Sequence, residues 1–366
     1  MKIIEVVQHL APGGIETLVL ELQKVYQSLD KVIIISLENN QQQALTDWQR
    51  LEDVQCELIF LNKQPGLKYG IVKQLIALFK QHKPDAVHTH HIGPLLYAGL
   101  AAKHLKLQSV IHTEHDVWHL QSSRKRHLLQ YALLNYIKPK LVADAEYVGK
   151  ALSKLFPKHR NHVISNGIDI DAFYPSSLVT ARKKMGLPTD VKIIGCAARL
   201  VPGKGHLALL TSLTKLPSSV HLALAGDGPL KAALMKQCKK LKVEQQVHFL
   251  GSLDNMAAFY RCLDVFCLAS EAEGLPLSPL EAQACNVPVV VTDVGGCREA
   301  VCPHTGLLVR PKDQEALTNG LKTVLSRKLL MLNHRPRDFV KKEHSLRNMA
   351  HLYRQLMIKR GNEKWL

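Results

Sequence analysis

No apolar run approaches the ~18–20 residues that a membrane-spanning helix needs. The longest candidate, Leu128 to Ile137, is about half that length and contains Gln130 and Asn135. Lys2 to Val7 reads as a strand and meets Gln8 and His9 at once, so it is no secretory leader core. A cytoplasmic protein is the expectation. Short Cys-x-x-Cys pairs are also missing. Seven of the eight cysteines fall after residue 190, mostly inside apolar runs such as Val265-Phe266-Cys267-Leu268. Cys262/Cys267 and Cys297/Cys302 share a longer spacing with His304 nearby, but core-like neighbours favour buried free thiols over a zinc or disulfide framework. Neither half carries G-x-G-x-x-G, which sets aside a dinucleotide oxidoreductase, and G-x-x-x-x-G-K-[ST] is absent, which excludes a P-loop. Aromatic residues are only 5 %, with no basic-aromatic platform of the kind that binds single-stranded nucleic acid.

Acidic residues are in short supply, 31 against 48 Lys and Arg, for a net charge of +17. The surplus is uneven. From Leu321 to Leu366 twelve basic residues face Asp338, Glu343 and Glu363, a net of +9, whereas residues 1–168 carry +6. A solvated helix face is the plain explanation. An anionic surface, membrane rather than nucleic acid, is the sharper expectation.

What is present is a folded chain of 366 residues with 46 % hydrophobic content, long enough for about two domains. Val- and Ile-rich runs (Ile3–Val7, Val32–Leu37, Glu57–Leu61, Ala86–His90, Ser109–His112, Lys140–Ala143) alternate with segments of helical apolar spacing. After Asn166-Gly167-Ile168-Asp169 and a polar stretch the pattern restarts: Val191–Ala198, Val220–Ala225, Gln246–Leu250, Val265–Ala269, Val287–Val291 and Leu307–Arg310. Alternation of this kind predicts parallel sheets covered on both faces. The expected architecture is α/β: a Rossmann-like domain over 1–168, a second over 169–345, and an amphipathic helix from Leu346 within 346–366. Ligands of such sheets sit outside the strands' carboxyl ends, so a cleft between the domains is the expected site.

Four motifs occupy such strand ends. Ala11-Pro12-Gly13-Gly14 lies between the first strand and first helix, where glycines admit a phosphate to a helix N-terminus. Ala198-Arg199-Leu200-Val201-Pro202-Gly203-Lys204-Gly205 puts two cations on a Gly/Pro turn, suited to a diphosphate. Gly226-Asp227-Gly228-Pro229 is a tight turn opening a helix. Ser270 to Ala282 leaves a strand and enters a helix, with Glu273 on the loop and Glu281 about two turns in. The amides of Leu277 and Ser278 at that helix start favour an anion. In the first half, His88 and His90 share one face of a strand end, with His112, His115 and Asp116 at the next. The plain reading of these histidines is a polar lining. A histidine-rich metal site is set aside because carboxylate partners look poorly placed.

In this order and spacing, Gly13-Gly14, Asn166-Gly167-Ile168-Asp169, Arg199 with Lys204-Gly205, Gly226-Asp227-Gly228-Pro229 and the Glu273/Glu281 pair resemble the retaining glycosyltransferases of family 4 (GT4), over residues 2–358. The resemblance implies a GT-B fold: two Rossmann-like domains facing a cleft, with the last helix crossing back onto the first. It implies a hexosyltransferase that uses a nucleotide-diphosphate sugar, UDP- or GDP-linked, and a glycan or lipid-linked acceptor in cell-surface polysaccharide or lipopolysaccharide synthesis. Arg199 and Lys204 would bind the donor diphosphate, Glu281 the ribose hydroxyls and Glu273 the donor sugar. The amides of Gly14, Leu277 and Ser278 would complete the phosphate cradle with Gly13 and Gly226. His115 would lie near the reacting sugar, with His88 and His90 on the acceptor side. No cofactor and no divalent metal are expected, since cations and a helix dipole take the metal's place. Asn286 stands where relatives usually have Gly, and Cys297 where a small residue or Pro is common. The basic, apolar stretch Ser122 to Leu134 suits an anionic leaflet, hence an enzyme peripheral on the inner face of the cytoplasmic membrane. Alternatives are a GT-B nucleotide-sugar 2-epimerase and, from charge alone, a nucleic-acid-binding protein.

Overall fold

The computed structural model describes residues 1–326 and 334–358, so the +9 tail falls partly on residues outside the described ones. It forms two compact units, Met1–Asn166 with the helix Leu346–Ile358, and Gly167–Ser345. Among the described residues no helix is long and apolar enough to cross a membrane.

The first unit is built on a seven-stranded parallel sheet. Its strands are β1 (Lys2–Val7), β2 (Lys31–Ser36), β3 (Glu57–Phe60), β4 (Ala86–His90), β5 (Ser109–Glu114), β6 (Lys140–Ala143) and β7 (Asn161–Val163). They lie in the order β3-β2-β1-β4-β5-β6-β7. Sheet order therefore reverses between β1 and β4, the point where such sheets bind ligands. β-Branched runs fill the central strands because both faces are covered. Buried polar side chains interrupt them: Glu5 in the middle of β1, His88 and His90 on β4, and His112 and Glu114 on β5. β7, only three half-buried residues, escaped the reading of apolar runs. The helix Gly70–His82 buries Ile71, Leu75 and Phe79 at four-residue intervals and stops where Lys83 turns left-handed, φ 49°. The helix Leu346–Ile358 packs on the helix Gly14–Tyr26. It buries Met349, Tyr353 and Leu356, and Arg354 Nε donates to Asp30 at 2.9 Å.

The second unit carries a six-stranded parallel sheet. Its strands are β8 (Lys192–Ala197), β9 (Val220–Ala225), β10 (Val247–Gly251), β11 (Val265–Leu268), β12 (Val289–Thr292) and β13 (Leu307–Val309), in the order β10-β9-β8-β11-β12-β13. The reversal falls between β8 and β11. Its core is apolar, with Leu209, Leu222 and Val290 packed beside Cys196, Cys238 and Cys267. All eight cysteines are free and seven are buried; burial pushes the Cys196 thiol up to about 12, so it stays protonated. One cation is sealed inside. The Arg182 guanidinium, 1 % exposed, donates to Asp264 at 2.6 Å and to the carbonyls of Cys262 and Val191. Part of the tail's charge is likewise turned inward: Arg337 donates to the carbonyls of Ile170, Ala284 and Phe173.

Candidate functional site

In the second unit the expected residues gather at the carboxyl ends of β8, β9, β11 and β12. Backbone bonds tie these loops together: Leu200 N to Asp227 O at 2.9 Å, Glu271 N to Gly203 O at 2.8 Å, Gly296 N to Gly274 O at 2.9 Å. Contact is close enough to require glycine. Gly205 has φ +74°, and a Cβ there would sit 2.1 Å from the carbonyl oxygen of Ala269; at Gly295, φ +55°, it would sit 1.7 Å from that of Glu273. Backbone fixes this end of the sheet.

Lys204 Nζ reaches Glu273 Oε1 at 2.5 Å, across 69 residues of sequence. Both side chains are mostly buried, 24 % and 12 % exposed, so the pair is partly shielded from solvent screening. Arg199 is exposed and, among the described residues, makes no ion pair. The helix Leu277–Ala284 starts after Pro276 with no side-chain cap, leaving its first amides open to an anion. Because it starts at Leu277, Glu281 stands little more than one turn in, not two as expected. Glu281 is buried, and its Oε2 accepts from Tyr260 Oη at 2.6 Å. Tyr260 was invisible as a partner from sequence. Gly226 N bonds to Gly251 O at 2.7 Å and lines the same strand ends. Asn286 takes φ 66°, the left-handed helix end that its residue type tolerates. A cavity of about 410 Å³ opens on the other side of the 201–207 loop, towards Leu234, Arg310 and Lys312; its lining omits Arg199, Lys204, Glu273 and Glu281.

In the first unit Gly13 caps the helix Gly14–Tyr26 at the end of β1, and Gly14 is exposed there. The histidines do not line an open polar surface: His88, His90, His112 and His115 are all buried. Glu5 Oε2 lies 3.0 Å from both His88 Nδ1 and His90 Nε2. His90 Nδ1 lies 3.0 Å from His115 Nε2, and His115 Nδ1 lies 3.3 Å from Asp144 Oδ2. Burial opposes the Glu5 charge, but the two imidazoles outweigh it and hold the carboxyl down at about 2. Burial, then the neighbouring His88, bring His90 down to about 3; burial carries His115 well below its usual value. With both rings neutral, His90 Nε2–H donates to Glu5 and His115 Nε2–H to His90 Nδ1. His115 Nδ1 is then a lone-pair acceptor beside Asp144, one proton short of an ion pair.

The ground for setting aside a metal among these histidines is corrected. Carboxylates are well placed, because Glu5 comes from a neighbouring strand more than eighty residues away and Glu114 and Asp116 flank His115. Beside the histidines already singled out, Glu5 within the apolar run Lys2–Val7 was a sequence signal of this network. Gln130, fully buried on the helix Arg124–Ile137, joins it by donating to Glu114 at 2.8 Å. The same helix leaves Leu128, Leu129, Tyr131 and Tyr136 exposed beside Arg124, Lys125 and Arg126.

Both the sequence and the fold have counterparts among known proteins. The family model for glycosyl transferases group 1 matches residues 179–343, and that for glycosyltransferase family 4 matches residues 12–172. The chain is 27 % identical over 343 residues to the putative glycosyltransferase EpsF of Bacillus subtilis, covering 88 % of this chain and 86 % of that protein. It is 27 % identical over 271 residues to a GDP-mannose-dependent phosphatidylinositol monomannoside mannosyltransferase of Corynebacterium glutamicum, covering 68 % and 69 %. In fold it matches the crystal structure of Anabaena HepE in complex with UDP and glucose, with TM-score 0.84, 20 % identity, and coverage of 97 % and 98 %.

Proposed function

The chain belongs to the glycosyltransferases of group 1 and family 4, and from that premise we propose that it is a retaining, metal-independent hexosyltransferase. It moves a sugar from a UDP- or GDP-linked donor to a glycan or lipid-linked acceptor in cell-surface polysaccharide synthesis. The observation that carries this reading is the convergence of Lys204, Glu273, the unpaired Arg199 and an uncapped helix start on one sheet reversal. Arg199, Lys204 and the amides of Leu277 and Ser278, with the Gly226 backbone, take the diphosphate. As the sugar–phosphate bond breaks, they stabilise the charge that develops on the leaving oxygen, the work a divalent ion does elsewhere. Glu281, its carboxylate steered by Tyr260, accepts the ribose hydroxyls. Glu273 releases Lys204 to the phosphate and turns to the sugar hydroxyls.

The acceptor oxygen attacks on the face from which the diphosphate leaves, and its proton passes to the departing phosphate oxygen. His115, neutral at pH 7, contacts the reacting sugar, with His90 and His88 behind it. The HepE complex and the mannosyltransferase relative support UDP or GDP as the carrier. The exposed apolar and basic face of the helix Arg124–Ile137 supports a peripheral position on an anionic leaflet, where a lipid-linked acceptor is collected.

A thermal-shift screen with UDP, GDP and ADP tests the donor reading. One nucleotide at about 100 times its Kd adds about 2.7 kcal/mol of stability. The shift should be the same with and without EDTA, since no metal holds the diphosphate. If no nucleotide moves the melting temperature, the donor site is wrong. An inverted anomeric configuration in the product, read by NMR, would overturn the retaining mechanism.

A further inference from the structure

We propose that the first unit carries a zinc-type metal site made by His91, Asp116 and His119, with Glu114 orienting both imidazoles. None of these four residues has a part in the donor chemistry above, and the site does not depend on that reading.

The geometry is that of an open three-ligand site. His119 Nδ1 lies 2.9 Å from Asp116 Oδ1, and His91 Nε2 lies 3.9 Å from Asp116 Oδ2. One donor atom from each of the three residues falls within 4.8 Å of the others. Four donors at about 2.0–2.2 Å from a tetrahedral ion stand about 3.3–3.5 Å apart, a spacing these contacts bracket. Glu114 then meets the far nitrogen of each ring: its Oε2 lies 3.3 Å from His91 Nδ1 and 3.7 Å from His119 Nε2. A carboxylate behind each ligating imidazole fixes the tautomer and raises the basicity of the coordinating nitrogen. Glu114 is itself fully buried and held by His112 at 2.9 Å and Gln130 at 2.8 Å, so it cannot swing away.

Backbone strain supports the assignment. His91 sits at φ 65°, ψ 168°, a region almost confined to glycine. Its ring lies edge-on to that of His119, with centroids 5.5 Å apart, and to that of His115 at 5.4 Å. Such strain persists where surrounding contacts demand it. Two nitrogens and one carboxylate oxygen suit zinc or a similar borderline ion rather than calcium or magnesium. His91 is 27 % exposed and His119 13 % exposed, so the fourth position opens to solvent and accepts water or another oxygen donor. The Glu5/His88/His90 cluster differs on this point, being shut off from solvent altogether.

Full-length protein stripped by a chelator and titrated with CoCl2, then with ZnCl2 in competition, tests the site. One Co²⁺ per chain should bind with the visible absorption of a tetrahedral site, and Zn²⁺ should displace it. Asp116→Asn, His119→Gln and His91→Gln should each abolish that absorption, and Glu114→Gln should weaken binding by about 10–100-fold. His221→Gln, in a histidine pair of the second unit (2.9 Å to His248), should change nothing. Metal-free melting curves identify any variant that does not fold, and the three ligand variants back one another up. Absence of saturable one-to-one binding, or binding unmoved by all three, overturns the proposal. So does absorption that vanishes with His221→Gln.

Discussion

The two sheets share one plan, parallel with a reversal near the middle, yet they finish their carboxyl ends by opposite means. In the second unit the backbone does the work. Gly205 and Gly295 let loops touch at distances no side chain allows, and Arg199 stands exposed beside them while Lys204 and Glu273 are partly sheltered. In the first unit buried ionisable side chains do it: Glu5, His90, His115 and Asp144 run as a chain under the strand ends. A glycine clamp leaves Arg199 and the first amides of the helix Leu277–Ala284 available to a ligand whose charge changes during reaction. A histidine–carboxylate chain instead fixes ring orientation and protonation in advance, which suits positioning more than charge stabilisation.

Four outcomes would break or sharpen this contrast. The largest concerns the sealed Arg182 of the second unit. Arg182→Ala leaves Asp264 with Lys192 as its remaining cation and strips the buried carbonyls of Cys262 and Val191 of their donor, and it should cost about 3–5 kcal/mol in urea unfolding. A cost under about 1 kcal/mol would mean that the buried pair is not structural. Lys204→Ala or Arg199→Ala should lower turnover by about 10²–10³-fold, while the melting temperature holds. Unchanged turnover in both would move the diphosphate elsewhere.

Acid acts on buried imidazoles in both units, His90 and His115 in the first and His206 in the second. His206, buried beside Lys204, is brought down to about 4, first by burial and then by that lysine. Below about pH 6.5 the unfolded chain takes up a proton that folded His206 refuses, so stability falls. The loss is about 2 kcal/mol between pH 7 and 5, and His206→Gln should remove it. Glu5 acts lower, its carboxyl held at about 2 in the fold against 4.5. Its contribution, present above pH 4.5, should fade as pH falls towards 2, and Glu5→Gln should erase that fading. Denaturant unfolding of each variant beside the parent at stepped pH reads both, and a pH profile that neither substitution moves would overturn the assignment. The smallest effect is at Asn286, where Gly suits φ 66° better. Asn286→Gly should stabilise by about 0.5 kcal/mol, and a loss in urea unfolding would show that its side chain matters.

Much of this was legible in the residues. Strand runs such as Ala86–His90, Lys140–Ala143 and Val220–Ala225 appear with the boundaries assigned from sequence, because short Val-, Leu- and Ala-containing runs between helical segments mark strands even where a polar residue interrupts them. The helix Leu346–Ile358 was equally plain from its spacing. The turn residues of the second unit could be read because glycine and proline constrain the chain locally. β7 was missed for its brevity, and the start of the helix at Leu277 for the flanking prolines, which blur a helix boundary.

By itself, then, the sequence determined two parallel sheets, the family, and the loops that carry Arg199, Lys204, Glu273 and Glu281. Those features are written in local pattern and spacing. Only the tertiary structure decided the partners. Glu5 meets His90 across 85 residues, Lys204 meets Glu273 across 69, and Tyr260 holds Glu281. His91, Asp116 and His119 converge because β4 and β5 are neighbours in the sheet. A lone histidine or glutamate in a string has no preferred partner. Burial takes away water as an alternative, so the fold's register alone selects which groups must satisfy one another.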